Sequence, residues 1–119
     1  MQWLLHSSVA AMEALRRHGQ VAHTAAEAEL AAEAPADQVL AAAGRRQWDI
    51  CTDAAALAHA PYQGPTPFGR CIVLIKTADH ADAIDRLFAR FKRLSPGRLY
   101  TITASGVKVR QLPLARENK

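Results

Sequence analysis

The sequence predicts an α/β domain with a mainly parallel sheet, and three observations carry that prediction. Short apolar runs alternate with Ala-rich helical segments in the order β-α-β-α-β over the first half of the chain. The run Cys71 to Ile75 is continuously apolar, as in a strand covered on both faces. Two alternating segments near the end, joined through Ala104-Ser105-Gly106, have the pattern of a β-hairpin that closes the sheet with an antiparallel edge. The 119 residues, half of them hydrophobic, suffice for one domain with one modest core. That domain is expected over residues 1–114, with residues 115–119 as a flexible tail. Ala occurs 25 times against seven aromatics, so helices can approach the sheet closely but rings cannot surround a large ligand cavity.

Taken in order, Gln2 to His6 is a short apolar strand. Ser7-Ser8 then supplies N-cap chemistry for a helix with Val9, Met12 and Leu15 on one face, stopped at His18-Gly19. A brief strand, Gln20 to His23, leads into the Ala-rich stretch Thr24 to Ala32. Pro35 opens a second helix through Arg46, and Trp48 to Thr52 reads as a buried strand. Asp53 to Ala60 is suited to a short helix. Residues 61–69, with three prolines and two glycines, read as a loop. After Ile72 to Ile75, Asp79 caps a helix that carries Ile84, Leu87, Phe88, Phe91 and Leu94 at helical spacing, with Asp82 and Arg86 one turn apart on its wet side. Ser95-Pro96-Gly97 ends it, and the hairpin segments Leu99 to Thr103 and Val107 to Leu112 follow.

The charge is unevenly placed. The first 60 residues carry four basic and seven acidic groups, net −3, and residues 61–119 carry eleven and four, net +7. A polyanion would be drawn to the basic half and a divalent cation to the acidic one. Arg86, Arg90, Lys92, Arg93, Arg98, Lys108 and Arg110 are the candidate contacts to a phosphate backbone. Only Tyr100 is expected to be available among them for stacking, since Phe88 and Phe91 lie on the core stripe. Cys51 and Cys71 fall in apolar stretches, as small buried hydrophobes do, and fit a reducing cytoplasm. Met1 to Arg17 lacks a basic leader and does not read as a signal peptide, and no run of 18 apolar residues predicts a membrane span. The five histidines lack zinc-site spacing. The absence of G-x-S-x-G, P-loop and G-x-G-x-x-G patterns argues against serine catalysis and against a nucleotide cofactor.

In an open parallel sheet, chemistry collects at the carboxyl ends of the strands. His6 ends the first strand there, either as a satisfied core imidazole or standing where an acid would act. Asp53 follows the third strand, either to bind a divalent ion or to hydrogen-bond the first turn of the next helix. Asp37, in the first turn of the second long helix, suits the helix dipole or leans over the same edge. Glu27 and Glu29 are expected to be solvated.

Four stretches carry a family likeness: Trp3-Leu4-Leu5, His23-Thr-Ala-Ala-Glu-Ala-Glu-Leu30, Ala36-Asp37-Gln38-Val39-Leu40 and Ile50-Cys51-Thr52-Asp53. Together with Cys71-Ile-Val-Leu-Ile75, the amphipathic helix and the terminal hairpin, they resemble the small stand-alone PIN-like domains, relatives of the toxin-antitoxin ribonucleases. The resemblance implies a PIN-like three-layer sandwich with helices on both faces of the sheet. It also implies an acidic cluster that binds Mg²⁺ or Mn²⁺ and hydrolyses RNA, the metal activating water and neutralising the attacked phosphate. By position, Asp37 matches the acid heading the second long helix. Asp53 lies near the acid after the third strand, where the family has Thr-x-Asp and this chain has Thr52-Asp53. His6 replaces the aspartate of the first strand, and Ser7-Ser8 follows it instead of another acid. The phosphate-accepting receiver domains have a similar length and an acid after the third strand, but the acidic pair they need at the first strand is missing here.

Two functions follow as expectations. In the first, the chain is a metal-dependent endoribonuclease in which Asp37 and Asp53 hold the ion, His6 completes the catalytic set, and the basic helix and hairpin guide RNA. Its protein partner would be an antitoxin or a second copy. In the second, it is a catalytically degenerate copy that binds RNA or a protein. His6 divides the two.

Overall fold

The computed structural model describes residues 1–6, 10–31, 33–64 and 68–113. Six strands form one sheet: β1 (Gln2–His6), β2 (Val21–His23), β3 (Asp49–Thr52), β4 (Ile72–Ile75), β5 (Arg98–Thr103) and β6 (Gly106–Gln111), in the spatial order β2-β1-β3-β4-β5-β6. The first five run parallel, and β6 returns antiparallel beside β5. Among the described residues four α-helices connect them: α1 (Met12–Arg17), α2 (Ala36–Arg46), α3 (Ala55–Gln63) and α4 (His80–Arg90). The expected α/β class, parallel sheet and closing hairpin are all present.

Alternation along the strands divides the core. Trp3, Cys51, Val73, Tyr100 and Ile102 pack with Leu15 of α1 and with Ile84 and Leu87 of α4. Their sequence neighbours Leu4, Ile50, Ile72, Leu74 and Leu99 pack with Val39 and Leu40 of α2 and Leu57 of α3. Every residue of β3 and β4 is buried, which is why β4 reads as an unbroken apolar run rather than as an alternating one, while β3 buries Asp49 and Thr52 at its two ends.

Several boundaries differ from the sequence expectation. α1 begins only at Met12, with Ala11 rather than Ser7 or Ser8 at its N-cap and no side-chain cap. Those two residues, Val9 and the tail at 115–119 lie outside the described residues. Gly19, at φ 75, ends α1 as expected. Among its described residues the Thr24 to Ala32 stretch contributes only a 3₁₀ turn at Ala26–Ala28. It is held by a reciprocal pair in which Glu27 N–H donates to Thr24 Oγ1 and Thr24 N–H donates to Glu27 Oε1. α2 ends on Gln47 in the left-handed conformation, whose N–H bonds Gly44 while Trp48 N–H bonds Ala43.

α3 runs past Ala60 to Gln63 and includes Pro61, so the proline-rich loop is shorter than expected, and its residues 65–67 lie outside the described set. Pro61 falls in the last turn with its ring buried, and this burial offsets the loss of one backbone donor. Asp79 caps α4 as expected, accepting from Asp82 N–H at 3.0 Å. The helix then stops at Arg90, and Phe91 turns out in an extended conformation with its ring edge-on to Tyr100 at 5.3 Å. Leu94 is buried beyond the helix. Its helical spacing therefore reflects core contact rather than helix.

The amino end of β3 carries a feature the sequence reading passed over. Asp49 is fully buried, accepts the Cys71 N–H at 2.8 Å and lies 3.4 Å from Arg70 Nε. This carboxylate fastens β3 to the start of β4. Cys51 and Cys71 are free and buried. Burial and nearby carboxylates push both thiols up, Cys51 to about 12, so neither is poised to react.

Candidate functional site

The strand order 2-1-3-4-5 places the topological switch between β1 and β3, and ligand crevices of open α/β sheets lie at the carboxyl ends of the strands flanking such a point. His6 and Thr52 are the last residues of β1 and β3 and face each other in register. Asp53 follows immediately. The sequence therefore brings His6 and Asp53 to one edge, as expected.

The geometry at that edge is closed by hydrogen bonds. Thr52 Oγ1 accepts the Ala54 N–H at 3.0 Å and lies 3.0 Å from His6 Nδ1. The Thr52 hydroxyl, one donor with two lone pairs, thus serves the Ala54 N–H and the imidazole together. Burial lowers the His6 pKa, with the Asp53 carboxylate pulling it back up. Asp53 is half-buried, and His80 Nε2 lies 4.0 Å from its Oδ2. His80 Nδ1 in turn accepts the Ala10 N–H at 2.9 Å, so the hydrogen on its ring points toward Asp53. An open groove of about 590 Å³, lined by Ala10, Ala78, Asp79, His80 and Ala81, runs beside this pair. His80 was not singled out from the sequence. Its only signal was its place just after the Asp79 cap.

Asp37 heads α2 as expected, but its exposed carboxylate accepts the N–H of Gln38 at 3.0 Å, serving the first turn of its own helix. Among the described residues no group of three His, Cys, Asp or Glu side chains is arranged to hold a metal ion. Magnesium demands oxygen ligands in near-octahedral geometry. At this edge stands the Asp53 carboxyl group, beside two imidazoles whose Nδ1 atoms are both engaged. The residues present do not fit a Mg²⁺ or Mn²⁺ centre on Asp37, Asp53 and His6.

The seven candidate cations do not share one surface. Arg86 and Arg90 lie on α4, and Arg98 shares the strand face of Tyr100 and Ile102, the side that packs α1 and α4. Lys108 and Arg110 stand opposite Thr101 and Leu99, on the α2 and α3 side. Arg86 is paired with Asp82 at 2.8 Å, and Arg90 lies over the Phe91 ring. Lys92 and Arg93 are exposed just past α4. Arg90, Lys92, Arg93, Arg98, Lys108 and Arg110 make no ion pair among the described residues. Tyr100, expected to be free for stacking, is instead buried, its hydroxyl accepting the Ser95 N–H. Besides Phe91, an aromatic beside the cations is Tyr62, with the Arg110 guanidinium 4.2 Å from its ring centroid.

Fold and edge together define an α/β domain with a six-stranded, mostly parallel sheet and a polar notch at its switch point. No family model, curated protein or solved structure matches the chain. No helix among the described residues is long and apolar enough to cross a membrane.

Proposed function

We propose that this chain is a PIN-like domain whose hydrolytic centre has lapsed and which serves as an RNA-binding module. The observation that carries the reading is the contrast in pairing. Six cations of the basic half have no carboxylate partner among the described residues, whereas Asp37 and His6 are bonded within the fold. Unneutralised cations attract a phosphate backbone, and an acid in the first turn of a helix is stabilised by that helix's dipole without a metal ion. The finer fold reading, a PIN-like three-layer sandwich, is supported by the two core clusters on alternating strand residues.

RNA affinity measured against salt tests the proposal. It should fall at least about tenfold between roughly 50 and 200 mM salt, and a salt-independent affinity would remove the phosphate track. Millimolar-range Mn²⁺ should leave the melting temperature unchanged. A rise that Asp53→Asn abolishes would favour the rival, a ribonuclease holding Mg²⁺ or Mn²⁺ on Asp37 and Asp53. Gain of Mn²⁺-dependent RNA cleavage in His6→Asp would support descent from such a nuclease.

A further inference from the structure

The two places where a polyanion can lie differ in their local charge. α4 presents Arg86 and Arg90 but interleaves them with Asp82 and Asp85, and Asp79 stands at its N-cap. α3, β5 and β6 contain no Asp or Glu, and their surface carries Lys108 and Arg110 on one face. On that face Tyr62, near the end of α3, donates its hydroxyl to the Gln111 carbonyl at 2.8 Å, which pins the ring against β6. Arg110 lies over the pinned ring at 4.2 Å, and His59, one turn back, holds its ring 6.4 Å away at a tilt of 53°. Tyr62 and His59 are half-buried, and Lys108 and Arg110 are exposed.

Aromatic rings and guanidinium planes are the surfaces on which unpaired bases stack, and neighbouring cations hold the backbone. A ring fixed by its own hydroxyl loses little conformational freedom when a base lands on it. We infer that the α3–β6 face is a stacking seat for single-stranded RNA. A base lies on the Tyr62–Arg110 pair, flanked by His59, and Lys108 takes an adjacent phosphate. This inference rests on the RNA-binding reading and assigns it to one side of the sheet rather than to α4.

Binding of a fluorescein-labelled oligouridine of about ten nucleotides, compared with an abasic oligomer of the same length, tests it. The wild-type chain should prefer the oligouridine by about tenfold. Tyr62→Leu should remove that preference while keeping the affinity for the abasic strand, and Tyr62→Phe, which retains the ring but loses the hydroxyl that pins it, should keep a weakened preference. Lys108→Gln should weaken both ligands. Equal wild-type affinity for the two strands would overturn the seat, as would a preference that survives Tyr62→Leu. So would losses confined to Lys92→Gln and Arg93→Gln with Lys108→Gln neutral. Those outcomes leave RNA binding itself standing. Failure of every oligomer to bind would instead bring down the RNA-binding reading, and the seat with it. If Tyr62→Leu does not fold, Arg110→Lys replaces it: this keeps the charge, removes the guanidinium plane and should reduce the base preference but not abasic binding.

Discussion

Each end of β3 carries an aspartate, four positions apart in the chain, and the two stand in opposite circumstances. Asp49, at the amino end, is fully buried against Arg70 and the Cys71 N–H and joins β3 to the start of β4. Asp53, just beyond the carboxyl end, is half-buried beside two imidazoles and faces the crevice of the switch point. A carboxylate tied into strand registry is part of the scaffold, while one at a strand's open end is free to meet solvent or a ligand. The contrast recurs across the molecule. The Thr52–His6 pair closes one edge from within, while Lys108 and Arg110 lie exposed beside a pinned tyrosine at the other.

The largest expected effect falls at Asp49. Asp49→Ala should lower unfolding stability by about 3 kcal/mol in urea titration, because the Arg70 charge and the Cys71 N–H both lose their partner. A loss below about 1 kcal/mol would mean that the pair is solvated and that the two ends of β3 are alike. Thr52→Val comes next, at about 1–2 kcal/mol, since the Ala54 N–H and His6 Nδ1 are left without the hydroxyl. Asp53→Asn should change stability by no more than about 0.5 kcal/mol, and a loss matching that of Asp49→Ala would break the comparison.

The smallest effect is a slope. Burial holds the folded-state pKa of His6 below its ordinary 6.5, against the attraction of Asp53, so the unfolded chain binds that proton more readily. The stability His6 contributes is therefore complete above about pH 6.5 and is lost as the pH falls toward the folded value. Urea midpoints measured from about pH 7.5 down to about pH 5 should decline less steeply in His6→Gln than in the wild type. Identical slopes would place His6 in a solvated setting.

Much of the fold was legible because its signals are local. The apolar run Ile72 to Ile75, the Asp79 cap and the alternation of the hairpin each arise within a few residues, and each appears where the pattern puts it. The carboxyl-edge position of His6 and Asp53 was legible too, since strand ends follow from strand boundaries. Their partners were not. His80 meets Asp53 from α4, and Ala10 meets His80 from the segment before α1, contacts that depend on how distant segments pack. Periodicity misled at Phe91 and Leu94, because a residue that packs on the core outside a helix can still fall at helical spacing. Tyr100, expected to be free for stacking, is buried for the same reason: burial of a ring depends on what packs over it.

By itself the sequence determined the α/β class, the parallel connectivity, the hairpin edge and the uneven charge, all of which follow from residue type and short-range period. Only the tertiary structure decided which charges are neutralised. It sets Asp49 against Arg70, turns Asp37 to its own helix and places Lys108 and Arg110 across the sheet from α4. The physical reason is range: backbone preference and hydrophobic period act over one or two turns, while ion pairing and ring stacking need atoms within a few ångströms from segments far apart in the chain.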